Sequence, residues 1–199
     1  MKNEGDSNKR LNTFLMFVVA ASFFLFFFSN PSLTGYATSG STTSNVSIAK
    51  YLSIAFGANL SQGIYFGTVN TLPATNINAT HNNDSAAYAG GTTYTIDVST
   101  DSNAPVDFCI KANTGLTDPS LDVIGLANET FAAYNLTSAS LPPLSNETSM
   151  TTTYQKSVGN IAIGNSSYWR FWLDIPSAQP SGDYNNSVSF EGVVNGLAC

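Results

Sequence analysis

Apolar residues follow two different patterns along this chain. Residues 14–28 form a greasy stretch broken only by Ser22, preceded by Lys9 and Arg10 and stopped by Asn30 and Pro31. Beyond residue 45 the apolar positions instead recur with a period of two, and a 3.6-residue period is almost absent. Val46, Ile48, Leu52, Ile54 and Phe56 fall on one face of an expected first strand, interrupted by Lys50. Gly63-Ile-Tyr-Phe-Gly67 reads as a short aromatic strand between glycines. Tyr94, Ile96 and Val98 alternate with Thr93, Thr95 and Asp97. Val106, Phe108 and Ile110 alternate with Asp107, Cys109 and Lys111, which turns Cys109 away from that apolar face.

The last third carries the strongest pattern. Trp169, Phe171, Leu173 and Ile175 share one side of a strand, and Tyr168, Arg170, Trp172 and Asp174 share the other. Pro176 closes it, Gln179-Pro-Ser-Gly182 turns the chain, and Val188, Phe190, Gly192 and Val194 return as an antiparallel partner. Between Leu116 and Asn135 a marginal short helix is expected, capped by Asp118 with Pro119 at its first position. Many short alternating segments between turns predict an all-β fold, an antiparallel two-sheet β-sandwich of seven to nine strands following an N-terminal hydrophobic targeting segment.

The order of basic residues, apolar core and polar exit is that of a secretion signal. Residues 1–39 are therefore expected to be a signal peptide, with cleavage after Ala37 or Ser39, or else a one-pass membrane anchor. A flexible leader follows at 40–45, and the sandwich occupies 46–199. The expected location is extracellular or at the cell surface.

Composition agrees with export. Ser, Thr and Asn supply 67 of 199 residues, while only 20 residues are charged. Seven basic residues against thirteen acidic ones provide no cationic surface for nucleic acid. Nine Asn-X-Ser/Thr triplets, at Asn45, Asn59, Asn78, Asn83, Asn128, Asn135, Asn146, Asn165 and Asn185, are candidate N-glycosylation positions. Cys109 and Cys199 have a single intramolecular pairing in an oxidising compartment. Two buried thiols or an intermolecular bridge through Cys199 are the alternatives.

Candidate chemistry is sparse. His81 lies in a polar loop without a nucleophile to serve, and neither a Gly-X-Ser-X-Gly elbow nor a phosphate-cradling glycine loop is present. Asp97, Asp101 and Asp107, with Asp118 and Asp122 in the next loop, do not match the spacing of an EF-hand calcium loop. No catalytic, metal or cofactor site is expected. Tyr168 and Trp172 are candidate interface aromatics, with core or loop packing, a subunit contact and a carbohydrate platform as the three readings.

Gly63-Ile-Tyr-Phe-Gly67, the Tyr94 strand, Tyr168-Trp-Arg-Phe-Trp-Leu-Asp-Ile-Pro176, Ser181-Gly-Asp-Tyr184 and Ser187-Val-Ser-Phe190 together resemble the secreted jelly-roll subunits of archaeal bundling pili and of TasA-like biofilm fibres. The resemblance implies a jelly-roll-like sandwich in a matrix or surface filament, where an N-terminal strand of one subunit completes its neighbour's sheet. The matching donor here is Val46, Ile48, Leu52, Ile54 and Phe56, a segment that equally suits the first strand of its own sandwich. The expected function is a non-enzymatic structural protein that self-associates or meets a neighbouring surface protein. A carbohydrate-binding or adhesive module is the alternative, with a glycan as partner. Contact with membrane is expected only through the N-terminal segment.

Overall fold

The computed structural model describes residues 4–28, 42–82 and 90–199. Two compact units divide the chain, Met1–Ser47 and Ile48–Cys199. The first holds helix α1, Glu4–Phe28. Among the described residues no helix is long and apolar enough to cross a membrane, which corrects the expected N-terminal transmembrane anchor. The apolar stretch of the helix, residues 14–28 with Ser22 inside it, rises about 22 Å at 1.5 Å per residue, against about 30 Å of hydrocarbon. The cleavage positions at Ala37 and Ser39 lie outside the described residues, as do Asn83 and the first two residues of the 40–45 leader.

The second unit is all β. Its strands are β1 (Ile54–Phe56), β2 (Ala74–Asn78), β3 (Tyr94–Val98), β4 (Val106–Ala112), β5 (Leu116–Thr117), β6 (Val123–Ile124), β7 (Glu129–Tyr134), β8 (Thr148–Ser149), β9 (Gln155–Ile161), β10 (Ser166–Ile175) and β11 (Val188–Val194). They form open antiparallel sheets. The larger runs β1-β3-β10-β7-β8, with β2 also on β10; the smaller runs β11-β4-β9; and β5 pairs with β6 as a two-stranded ribbon.

The alternation of β3, β4, β10 and β11 sets which faces meet. Trp169 of β10 lies 6.3 Å from Phe108 of β4 and 5.1 Å from Phe190 of β11, both edge-on, so the inner faces of the two main sheets interdigitate in a sandwich-like core. Tyr94, Ile96, Val98, Ile110, Phe131 and Phe171 join the same buried cluster. Burying an aromatic or branched side chain of this kind stabilises the fold by about 1.5–3 kcal/mol each.

Strand β10 receives two partners along one edge, β3 beside residues 166–169 and β2 beside Trp172–Ile175. The gap is filled by Asn82. Its Oδ1 accepts from the Phe171 N–H at 3.0 Å and its Nδ2 donates to the Phe171 carbonyl at 2.7 Å, so one buried carboxamide does the work of a strand residue.

Several expected elements differ. The first strand is confined to Ile54–Phe56, because the backbone of Tyr51 and Ser53 is bonded instead to the side chains of Asn103 and Ser102. Residues 63–67 are irregular, with Gly63 at φ 117° and Gly67 at φ 74°, conformations outside a strand. The expected helix after Leu116 is replaced by the β5–β6 ribbon. Asp118 Oδ1 accepts from the Asp122 N–H at 2.8 Å and shapes the turn that joins the two strands.

Candidate functional site

Four features bear on function. The first is the proposed donor segment, which the structure divides. Ile54 and Phe56 sit in β1, paired with Val98 and Ile96 of β3, and Leu52 and Ile54 pack against the core. Val46 and Ile48 are 86% and 79% exposed and belong to no strand among the described residues.

The second is the outer face of β10. Trp172 is buried and Tyr168 only half-buried, so the two do not form an open aromatic patch. Between them Arg170 is buried as well. Its Nε donates to the Asn82 carbonyl at 2.8 Å and its Nη1 to the Pro142 carbonyl at 2.9 Å. Its Nη2 reaches the Ser138 and Ala139 carbonyls at 3.2 and 3.3 Å. Loop residues 138–142 are thereby drawn over this face.

The third is the bridge between Cys109 and Cys199, with Cα atoms 5.9 Å apart. Cys109 lies on the outer face of β4, as its alternation requires, and the C-terminal tail crosses that face to reach it. Asp107, on the same face, anchors the tail. Its Oδ2 accepts from Lys156 Nζ at 2.5 Å and the Gly196 N–H at 2.8 Å. Its Oδ1 accepts from the Asn160 N–H and Asn195 Nδ2, each at 2.7 Å. Burial pushes this carboxyl up, but the Lys156 ammonium and the other donors outweigh it, and the net effect holds Asp107 well below the usual carboxylate range.

The fourth feature is a cavity of about 890 Å³, walled by Phe66, Leu116, Ile124, Leu173, Val188 and Phe190 among others and rimmed by the polar loop 179–186. Glu129 lines it and is only 1% exposed. It opens the β7 face that continues through Phe131 and Ala133, both in the core. Its Oε2 accepts from Asn186 Nδ2 at 2.6 Å. Burial raises the carboxyl's proton affinity, and this single bond opposes the rise without cancelling it. The rim is held in place. Thr117 and Asn185 exchange backbone hydrogen bonds at 2.9 and 3.1 Å, and the Tyr184 hydroxyl donates to the Pro180 carbonyl at 2.9 Å.

The cavity is the feature that sequence reasoning missed. Glu129 precedes Thr-Phe-Ala-Ala, a segment with too little apolar alternation to announce a strand, and the one available signal was a lone carboxyl two positions before an aromatic residue.

The remaining candidates are dispersed. His81 lies edge-on to the Tyr94 ring at 5.4 Å, and its carbonyl accepts from the Thr93 N–H at 3.1 Å. Asp97 accepts from the Ser166 hydroxyl at 2.6 Å. No group of three His, Cys, Asp or Glu residues suited to a metal occurs among the described residues. Of the triplet asparagines, Asn45, Asn78, Asn135, Asn146, Asn165 and Asn185 are exposed, whereas Asn59 and Asn128 are half-buried. Asn59 spends its Nδ2 on Thr93 Oγ1 at 2.7 Å, and Asn146 donates to the Tyr134 hydroxyl. No protein-family model matches this chain, and no curated protein matches it.

Proposed function

We propose that this chain is a non-catalytic structural or adhesive module that acts in an oxidising compartment and associates with further copies of itself by edge-strand addition. The observation that supports this is the exposure of Val46 and Ile48, at 86% and 79%, on a segment without a strand partner among the described residues. Large apolar side chains at alternating positions of an extended segment gain by lying on another sheet. Paired as a strand, residues 42–48 would span about 23 Å at 3.3 Å per residue. That matches the seven-residue strand β11, which pairs on one side with β4 and is the last strand of its sheet.

Two further observations suit the reading. The Cys109–Cys199 bridge is at home where thiols are oxidised. The sequence resemblance to jelly-roll pilus and biofilm-fibre subunits supplies the finer proposal of a filament. A carbohydrate platform on Tyr168 and Trp172 has less support, since a buried indole offers no face to a sugar ring.

The test compares the full chain with its Val46→Asp/Ile48→Asp variant, both oxidised, by light scattering and negative-stain electron microscopy. The native chain is expected to form concentration-dependent assemblies and the variant to lose them while keeping its far-ultraviolet circular dichroism. Both proteins contain α1, so a difference between them isolates the segment. Assembly that is equal in both, or absent from both, overturns the proposal.

A further inference from the structure

Glu129 stands where the packing of β7 calls for an apolar side chain. Its neighbours along that face, Phe131 and Ala133, are core residues, and its partner across the ladder is Leu173 of β10. An acidic group in such a position costs stability unless something compensates it. The compensation within the chain is partial. Oε2 accepts from Asn186, while Oε1 has no hydrogen-bond partner among the described residues. The carboxyl borders a cavity of about 890 Å³, within the range of roughly 300–1,000 Å³ that small-molecule sites occupy. A buried polar group short of partners, at the wall of a preformed apolar cavity, is the arrangement that a bound ligand's polar end would complete.

We propose that this cavity binds a neutral amphiphile, with its apolar body between Leu116, Ile124, Leu173 and Phe190 and an uncharged hydrogen-bonding head, a hydroxyl or carboxamide, on Glu129. The lining residues decide the charge of the head. They include two carboxyls, Glu129 and Asp183, and no Lys, Arg or His. An anionic head meets like charge with no cation to offset it. A cationic head would surrender its hydration to apolar walls, a cost that one carboxyl with an apolar surround does not repay. A hydroxyl or amide loses less on entry and can both donate to and accept from a carboxyl. Burial favours the protonated form of Glu129, which likewise donates and accepts.

A peptide strand is the competing occupant, and the rim disfavours it. The backbone of Asn185 is already paired with Thr117, so the wall nearest Asn186 and Glu129 presents no open ladder there. This inference goes beyond the edge pairing proposed above and does not rest on it.

The test is calorimetric titration of the folded, oxidised full chain with three probes that share one alkyl tail: 1-decanol, decylammonium and decanoate. Saturable 1:1 binding of 1-decanol is expected, with the two charged probes weaker by about tenfold or more, the factor that one lost hydrogen bond or one unpaired charge readily supplies. Glu129→Leu is expected to weaken decanol binding by about tenfold. Glu129→Gln, which keeps a donor and an acceptor, recovers most of that loss. Leu116→Trp fills the cavity and should abolish binding; should it fail to fold by circular dichroism, the Leu and Gln variants decide. Absence of saturable decanol binding, equal affinity for all three heads, or an unchanged affinity in Glu129→Leu overturns the proposal. So does displacement of decanol by a peptide of residues 42–53, which would assign the cavity to a strand.

Discussion

Asp107 meets four donors on its two oxygens, and Glu129 meets one. Both carboxyls are buried, so desolvation acts on each in the same direction, and the difference in partners reverses the outcome for Asp107. Their effects on stability therefore run in opposite directions with pH. Asp107 binds its proton less tightly in the folded chain than in the unfolded one. Its contribution is present above the unfolded carboxylate range and is lost as pH falls through the folded value. Glu129 binds its proton more tightly when folded. Its contribution is present below the unfolded value and is lost as pH rises through the folded one. Urea midpoints measured from acid to neutral pH should show this: Asp107→Asn flattens the acid limb, and Glu129→Gln removes the decline on the rising-pH side. At neutral pH Asp107→Asn should also cost about 2 kcal/mol, a modest figure because half of the Lys156 side chain is exposed to solvent screening. Identical pH profiles in the native chain and both variants would contradict this account.

Strand β10 organises the larger sheet, and its outer face is held by backbone carbonyls that a single guanidinium gathers. Replacing Arg170 with Met keeps the stem and strands the carbonyls of Asn82, Pro142, Ser138 and Ala139. The expected loss is about 3 kcal/mol in urea unfolding, with faster amide exchange in residues 138–142. Exchange confined to native rates in that loop would show that Arg170 does not hold it. Strands β3, β4 and β10 were legible because large apolar residues alternate along them without interruption; β11 was legible as a strand, broken only by Gly192, but it pairs with β4 in the smaller sheet and not with β10 as the chain order suggested. Strands β7 and β9 were not. Gln155-Lys-Ser-Val-Gly-Asn-Ile161 has a weak apolar face, and it becomes a strand because β4 offers it an edge. The 46–56 pattern overstated its strand for the opposite reason. Its alternation is real, but Ser102 and Asn103 capture the backbone of residues 49–53 through their side chains before a ladder can form. The Asp118-Pro119 pair carried a helix-start signal that serves equally well for a tight turn.

Across the molecule, the sandwich-like architecture was readable in the sequence and the cavity was not, since its walls come from β1, β5, β6, β7, β10, β11 and two loops that no local pattern brings together. The pairing of Cys109 with Cys199 was readable because only two cysteines are present. It also determines how the domain would answer a mechanical load. Pulled between residue 48 and residue 199, the chain transmits tension through the bridge directly into β4, the middle strand of its sheet, and the stretch between the two cysteines, which are 90 positions apart, is bypassed. Everything from the second half of β4 to β11 is then shielded from extension, including β10 and the cavity walls it contributes. Single-molecule stretching of the oxidised protein should release no length from that region, and reduction should add about 300 Å of contour at some 3.3–3.6 Å per residue. A subunit held under tension in an assembly would therefore yield first at β1 to β3, while its larger part stayed folded.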